Sequence, residues 1–209
     1  MRTVSFRAVI IALTFLLTSI SSQAQTDSFT VSSPAVSASA ETGYFSHLTS
    51  AGRIDSIYAA NDKAPANTRS FPIVWKNVPE GTKILALLVD DPDAKPVMET
   101  FGMKGDAFIH WIAADIPPVP DTLRDNASKV MHSFVQGKNS SGKIGYTGPK
   151  PPSDIPANVQ KPIIHIYRLT LYALNAPTGL KNGFTLDTFK KAIKEKTIKE
   201  TQFLMSYSN

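Results

Sequence analysis

Apolar residues in this chain occur in short runs, and segments dense in proline, glycine and aspartate separate these runs. The clearest runs cover residues 71–75, 83–89, 107–114 and 163–174. Such lengths are typical of buried strands, whereas long loops account for the proline-rich segments between them. The pattern therefore predicts a mainly β chain, folded as a β-sandwich with peripheral loops.

Two of the predicted strands carry side chains that can bind a ligand or transfer a proton. The run 83–89 stops at Asp90-Asp91-Pro92, and proline cannot continue the pairing because it has no N–H group. We therefore expect one or both carboxylates to lie at the rim of the sheet. In the run 163–174, His165 and Tyr167 are two residues apart, so they share a face about 7 Å apart.

Helical periodicity appears only towards the C-terminal end. Leu186, Phe189 and Ile193 recur at intervals of three and four residues, and Thr185 or Asp187 can cap the first turn. The sequence thus predicts one C-terminal helix.

Residues 1–24 have the layout of a secretory signal peptide. Arg2 and Arg7 precede an uncharged apolar run, and small residues follow up to Ala24. We expect cleavage before Gln25 and a single domain over residues 25–209, exported to the bacterial periplasm or medium. The alternative, a membrane anchor, is disfavoured because the apolar run is shorter than the roughly 20 residues that span a bilayer.

Composition excludes several classes of function. The chain has no cysteine, which rules out disulfides, thiolate metal sites and a cysteine nucleophile. Cleavage would remove two arginines and lower the net charge from +5 to +3, so we expect no nucleic-acid binding. Residues 137–143 have the spacing of a phosphate-binding loop, but Ile144 replaces its hydroxyl residue, so we interpret this segment as a flexible loop.

Two further segments are candidates for a binding site, and each has an ordinary structural explanation. His110 has the strand parity of Phe108 and Ile112, which is typical of a histidine in a hydrophobic core. Residues 145–152 are rich in glycine and proline. The glycines permit positive φ and leave N–H groups uncovered for an anion.

The order of these segments resembles the phosphatidylethanolamine-binding protein family, in particular its bacterial, Raf-kinase-inhibitor-like branch. The resemblance rests on Asp91-Pro92-Asp93-Ala94, the His110-Trp111 strand, the glycine-proline loop and His165-Ile166-Tyr167. It implies a Greek-key antiparallel β-sandwich with a small pocket at one end. That pocket would accept a phosphate-like anion or a phospholipid headgroup, without a cofactor or metal. The implied ligand-binding residues are Asp91, His110, Gly148, Pro149, His165 and Tyr167, with Asp93 and Phe108 at the rim.

The chain also departs from the family pattern. Lys95 stands where the family usually has proline, Ile166 stands where it usually has arginine, and the segment 95–106 is longer than expected. Lys150 replaces a small residue of the glycine-proline loop. Lys95 and Lys150 can add positive charge at the pocket mouth or face solvent, and we favour solvent.

The sequence favours a non-enzymatic binding protein. The alternative is an inhibitor or modulator of a partner protein, such as a kinase or protease, through the surface around the pocket. A hydrolase using Asp91 with His110 or His165 is less favoured, because the chain has no Gly-x-Ser-x-Gly or His-Glu-x-x-His motif.

Overall fold

The computed structural model describes residues 28–41, 51–60, 68–151 and 163–208. The strands in these ranges are β1 (Thr30–Ser32), β2 (Val36–Glu41), β3 (Ala51–Ile54), β4 (Ile73–Lys76), β5 (Ile84–Asp91), β6 (Phe108–Ile116), β7 (Thr122–Leu123), β8 (Val135–Gln136), β9 (His165–Leu174) and β10 (Thr197–Tyr207). The helices are α1 (Lys95–Thr100), α2 (Ala127–Val130) and α3 (Leu186–Ile193), with 3-10 turns at Ser56–Tyr58 and Pro92–Ala94. The predicted signal peptide at residues 1–24 lies outside the described residues.

The strands form two sheets that face each other. One sheet has three strands in the order β1-β4-β7, and the other has seven in the order β2-β3-β10-β9-β5-β6-β8. Large side chains from both sheets, including Trp75 of β4 and Trp111 of β6, fill the main core between them. Helix α3 covers the opposite face of the large sheet through Phe189 and Ile193. The predicted mainly β fold is confirmed.

Strand β5 is buried on both faces, which explains its unbroken apolar sequence. Leu85, Leu87 and Val89 point into the main core, whereas Ala86 and Leu88 pack in the second core beneath α3. This alternation continues past the apolar run, because successive strand residues point to opposite faces. Asp90 and Asp91 therefore lie on opposite sides of the sheet.

Helix α3 is confirmed as the C-terminal helix, with Thr185 as its N-cap. The Thr185 side chain accepts a hydrogen bond from the backbone N–H of Thr188, and the Thr188 side chain accepts from the N–H of Thr185. The chain does not end with this helix. Strand β10 follows it and pairs antiparallel with β9 and parallel with β3, so the large sheet is mixed and not wholly antiparallel. The first half of β10 is mostly polar and largely exposed. Its sequence therefore lacks the alternation of apolar and polar residues that would have predicted a strand.

The prediction that only the C-terminal part is helical is wrong, because two short helices precede α3. Helix α1 follows the end of β5, and helix α2 lies in the connection after β7. They have six and four residues, and a helix of one or two turns is too short to establish a 3.6-residue periodicity.

A bulge in β6 changes the predicted orientation of His110. The register passes from the pair Val89–Trp111 directly to Asp90–Ile109, so His110 has no partner on β5. Because the extra residue resets the alternation, Ile109 and Ile112 both face the second core. The His110 ring lies 5.1 Å from the ring of Tyr167, which belongs to the main core. The prediction that His110 shares a face with Ile112 is therefore wrong.

Asp90 forms a structural ion pair on the α3 side of the sheet. Its two carboxylate oxygens accept from Nε and an Nη of Arg168 on β9 at 3.0 and 2.6 Å. Asp90 is only 4% exposed, so the guanidinium supplies the donors that this carboxylate cannot obtain from water.

We expect Arg168→Leu to destabilise the protein, because the substitution leaves the buried Asp90 side chain without its hydrogen-bond donors. The expected loss in the free energy of unfolding is about 1–3 kcal/mol. The double variant Asp90→Leu/Arg168→Leu should recover part of that loss, and Lys199→Leu on the exposed part of β10 is the control. Urea denaturation measures the free energy of unfolding of each variant, and an unchanged m-value shows that the variants unfold with the same change in exposed surface. Equal stability of Arg168→Leu and wild type would contradict this role.

Candidate ligand-binding site

The predicted site residues meet at one end of the sandwich, at the edge of the main core. Asp91 ends β5, His110 lies at the bulge of β6, and His165 begins β9. Because β5 is hydrogen-bonded to both β6 and β9, these three side chains come from neighbouring strands. All three are buried, with at most 4% of each residue exposed.

Asp91 is the centre of this cluster. Its Oδ2 lies 2.8 Å from His165 Nδ1 and 4.0 Å from His110 Nε2. Its Oδ1 accepts from the backbone N–H of Ala94 at 3.1 Å, which caps the 3-10 turn Pro92–Ala94. Since a carboxylate can only accept, Nδ1 of His165 is the donor in their hydrogen bond.

His110 is held in a defined tautomer by the backbone. Its Nδ1 lies 2.8 Å from the carbonyl oxygen of Thr147, and a carbonyl can only accept, so Nδ1 carries the proton. The neutral ring consequently presents an unprotonated Nε2 towards Asp91. Burial lowers the pKa of His110 below its ordinary value, although the Asp91 carboxylate opposes this shift.

The Tyr167 ring packs against the rings of both histidines, but Tyr167 does not line the cavity. Its ring centroid lies 5.1 Å from that of His110 and 6.4 Å from that of His165. Burial, with a smaller contribution from the nearby Asp91 charge, raises the pKa of Tyr167 well above its ordinary value, so its hydroxyl stays neutral. Among the described residues that hydroxyl has no hydrogen-bond partner.

The two predicted rim residues differ in position. Phe108 lines the cavity, and its ring lies 4.9 Å from the ring of His110. Asp93, in contrast, is fully buried, and its Oδ2 accepts from the backbone N–H of Ile166 at 2.8 Å. The prediction of Asp93 as a rim residue is therefore wrong: its carboxylate ties the turn after β5 to the start of β9.

The glycine-proline loop contributes through its backbone. Gly148 lines the cavity, and a Cβ at this position would approach the Tyr58 carbonyl oxygen to 2.5 Å. The required property of Gly148 is thus the absence of a side chain, and not the positive φ that the sequence suggested. Pro149 is buried but is not among the lining residues; its carbonyl accepts from the Ala60 N–H at 2.9 Å and joins the two segments.

The cluster forms the floor of a cavity of about 290 Å³. The other lining residues include an apolar wall that the sequence analysis did not identify, formed by Val97, Met98, Phe101 and Met103. The signal for this wall was the unexpected length of the segment 95–106. Ala60, Ala94, Ser141 and Thr147 complete the lining without having been predicted.

The two lysines noted in the sequence have different positions. Lys95 forms an ion pair with Asp106, with an Nζ–Oδ1 distance of 3.0 Å, and does not line the cavity. Lys150 is exposed, as expected, and it is also one of the residues that line the cavity.

The segment that resembles a phosphate-binding loop does not have the backbone of one. The Asn139 side chain accepts from the N–H groups of Ser141 and Lys143, and the Gly142 N–H donates to the Asn139 carbonyl. These groups are therefore not available to an anion.

The described residues offer neither a metal-binding cluster nor a membrane-spanning helix. No three or more His, Asp or Glu side chains in those ranges are arranged to hold a metal ion. No helix in that part of the chain is long and apolar enough to cross a membrane.

Comparisons with known proteins identify the family to which the chain is similar. A protein-family model described as "Phosphatidylethanolamine-binding protein" matches residues 45–208. A UPF0098 protein of Methanothermobacter thermautotrophicus is 33% identical over 159 residues, which cover 75% of this chain and 91% of the relative. The uncharacterised protein YxkA of Bacillus subtilis is 37% identical over 144 residues, covering 63% of this chain and 77% of YxkA.

Solved structures show the same fold. CT736 of Chlamydia trachomatis, described as a putative phosphatidylethanolamine-binding protein homologue, matches with a TM-score of 0.65 and 25% identity over 87% of this chain and 97% of its own. Escherichia coli YbcL matches with a TM-score of 0.64 and 21% identity over 87% of this chain and 98% of its own, and it supports the fold alone. With the family model covering most of its length, the chain belongs to the phosphatidylethanolamine-binding protein family.

Proposed function

We propose that this protein is a non-catalytic binding protein whose cavity takes a small phosphate-like anion, either free or as a phospholipid headgroup. One observation carries the proposal: two buried imidazoles and Asp91 converge at the floor of an open cavity. A charged imidazole donates a strong hydrogen bond to a phosphoryl oxygen. Lys150 adds a positive charge at the mouth.

The arrangement of Asp91 supports anion binding despite its charge. Both of its oxygens already accept hydrogen bonds from within the protein, from Ala94 and His165. The carboxylate is thus partly compensated before a ligand arrives, and it favours the charged form of the adjacent His110.

Hydrolysis is less well supported by the same geometry. His110 uses Nδ1 to donate to the Thr147 carbonyl, and among the described residues no hydroxyl group is hydrogen-bonded to its Nε2, which lies 4.0 Å from Asp91 Oδ2. A nucleophile activated by His110 would have to lie within hydrogen-bond reach of this nitrogen.

A second candidate function, modulation of a partner protein, is favoured by Phe101. This side chain lies at the cavity mouth and is 78% exposed, so it can contact a partner while the floor holds a ligand. Cross-linking from a photoreactive group at position 101 tests this candidate, and labelling of lipid or small molecules alone would count against it.

We also propose export, supported by the charged and apolar segments of residues 1–24. The intact mass of protein from the periplasm or medium should correspond to a chain beginning near Gln25. A full-length chain found only in the cytosol would contradict export.

Loss of either imidazole should weaken anion binding. Removing one charge-assisted hydrogen bond costs on the order of 1.5–3 kcal/mol, which is about a 10- to 150-fold increase in Kd. We expect this for His110→Gln and His165→Gln with glycerophosphoethanolamine, measured by calorimetry. The matched control is His132→Gln, because His132 is exposed and does not line the cavity. Circular dichroism verifies that each variant is folded. If both variants bind like the control, the anion site lies elsewhere.

Anion binding should also tighten as the pH falls. Burial lowers the pKa of His110, so the free protein holds this ring neutral near pH 7. A bound anion stabilises the charged ring and raises that pKa, so the complex binds more protons than the free protein. By linkage, Kd for a phosphodiester should fall between about pH 8 and 6, by at most about tenfold per pH unit for one proton. A phosphodiester keeps one negative charge in this range.

Calorimetry in buffers of different ionisation heat measures the proton uptake directly. Uptake should be present in wild type and in His132→Gln and lost in His110→Gln. Binding without proton uptake, or binding that weakens as the pH falls, would contradict the role of His110.

A further inference from the structure

The cavity is chemically divided into a polar floor and an apolar wall. Asp91 and the two histidines form the floor, whereas the wall comes from residues 97–103. Val97 and Met98 lie on helix α1, and Phe101 and Met103 follow its end. Phe108 of β6 adds a further aromatic face. A single ligand that reaches both parts must therefore combine a polar or charged group with an apolar one.

Several contacts hold the wall at the cavity. The Asp91 side chain caps the 3-10 turn that leads into α1, so the residue that organises the floor also positions the wall. At the other end, the backbone N–H groups of Phe101 and Met103 both donate to the carbonyl of Met98. The Lys95–Asp106 ion pair joins the start of α1 to the chain beyond the wall.

Part of the apolar wall is exposed to solvent. Phe101 is 78% exposed and Met103 is 36% exposed, although Met98 beside them is buried. Burial of Phe101 and Met103 against a ligand would remove apolar surface from water, which is favourable in proportion to the area covered.

The volume of the cavity also exceeds what a bare anion needs. A cavity of roughly 150 Å³ already accommodates benzene, and this one measures about 290 Å³. An inorganic phosphate at the floor would leave the wall in contact with water. A ligand with a substituent of about the size of benzene would cover the wall as well.

From these observations we infer that the ligand is an organic anion with a compact apolar substituent. Its anionic group lies against Asp91, His110 and His165, and its substituent lies against Val97, Met98 and Phe101. This inference rests on the proposed anion site and adds the substrate class. It also distinguishes two sources of the anion. A polar phospholipid headgroup would contact only the polar floor, whereas the inferred ligand also contacts the apolar wall.

Three phosphodiesters of equal phosphate charge test this inference by calorimetry at one pH. Dimethyl phosphate is the bare anion, methyl phenyl phosphate adds an apolar ring, and glycerophosphoethanolamine represents the lipid headgroup. We expect methyl phenyl phosphate to bind at least about tenfold more tightly than either of the others, which corresponds to about 1.4 kcal/mol.

The matched variants test the wall itself. In Val97→Thr/Phe101→Ser the Kd for methyl phenyl phosphate should rise, so that its preference over dimethyl phosphate falls to about threefold or less. Neither side chain belongs to the floor, and Phe101 is too exposed to be needed for folding. The control is Val119→Thr, which changes a valine that is 80% exposed and does not line the cavity.

Each remaining outcome is decisive. Equal binding of the three ligands, or tightest binding of glycerophosphoethanolamine, would overturn the inference and leave the anion site standing. A phenyl preference that persists in the double variant would also overturn it. If none of the three ligands binds wild type, the proposed anion site is wrong and the inference fails with it.

Discussion

The hydrogen bond between Asp91 and His165 is the interaction on which the rest of the site depends. A carboxylate that is almost completely buried is costly unless donors surround it, and Asp91 obtains them from His165 and from the backbone of Ala94. The first contact fixes one imidazole of the floor, and the second fixes the turn that leads into α1. A third contact, 4.0 Å from His110 Nε2, brings the other imidazole under the influence of the same charge. The Asp91 side chain therefore positions both the polar floor and the start of the apolar wall.

Two adjacent aspartates perform different tasks because strand alternation separates them. Asp90 faces the α3 side of the sheet and is neutralised by the guanidinium of Arg168. Asp91 faces the space between the sheets, where its Oδ2 lies 2.8 Å from His165 Nδ1 and 4.0 Å from His110 Nε2. The ion pair of Asp90 serves the stability of the sheet. In contrast, the Asp91 cluster contains groups whose charge a ligand can change, since His110 is held neutral by burial.

The sequence predicted those parts of the fold that alternation and capping determine. The strands at 83–89 and 163–174 and the helix with Thr185 as its cap follow from local patterns, and all three are present. The meeting of Asp91 with the two histidines followed only from the resemblance to a family, because residues 74 positions apart have no local signal of contact. The bulge at His110 was not predictable from alternation, since an inserted residue reverses the parity on which that method relies.

Other errors have equally specific causes. Strand β10 is half polar because its first half is exposed, so it lacks the alternating pattern of a strand on a core. Half of the wall of residues 97–103 lies on a six-residue helix and half follows its end, and the sequence alone does not show that these apolar residues line a cavity. Asp93 and Asp91 stand in the same short motif, and their sequence does not reveal that one ties β9 to a turn while the other meets the cavity.

The most direct test of this account is a nitrogen NMR titration of the imidazoles, with and without dimethyl phosphate. The structure predicts that His110 in the free protein is the tautomer protonated at Nδ1 and that its pKa is below the ordinary value. Addition of the anion should raise that pKa and leave His132 unchanged. A His110 protonated at Nε2 in its neutral form, or one whose titration does not respond to the anion, would contradict the central claim that Asp91 and its two histidines form an anion-binding floor.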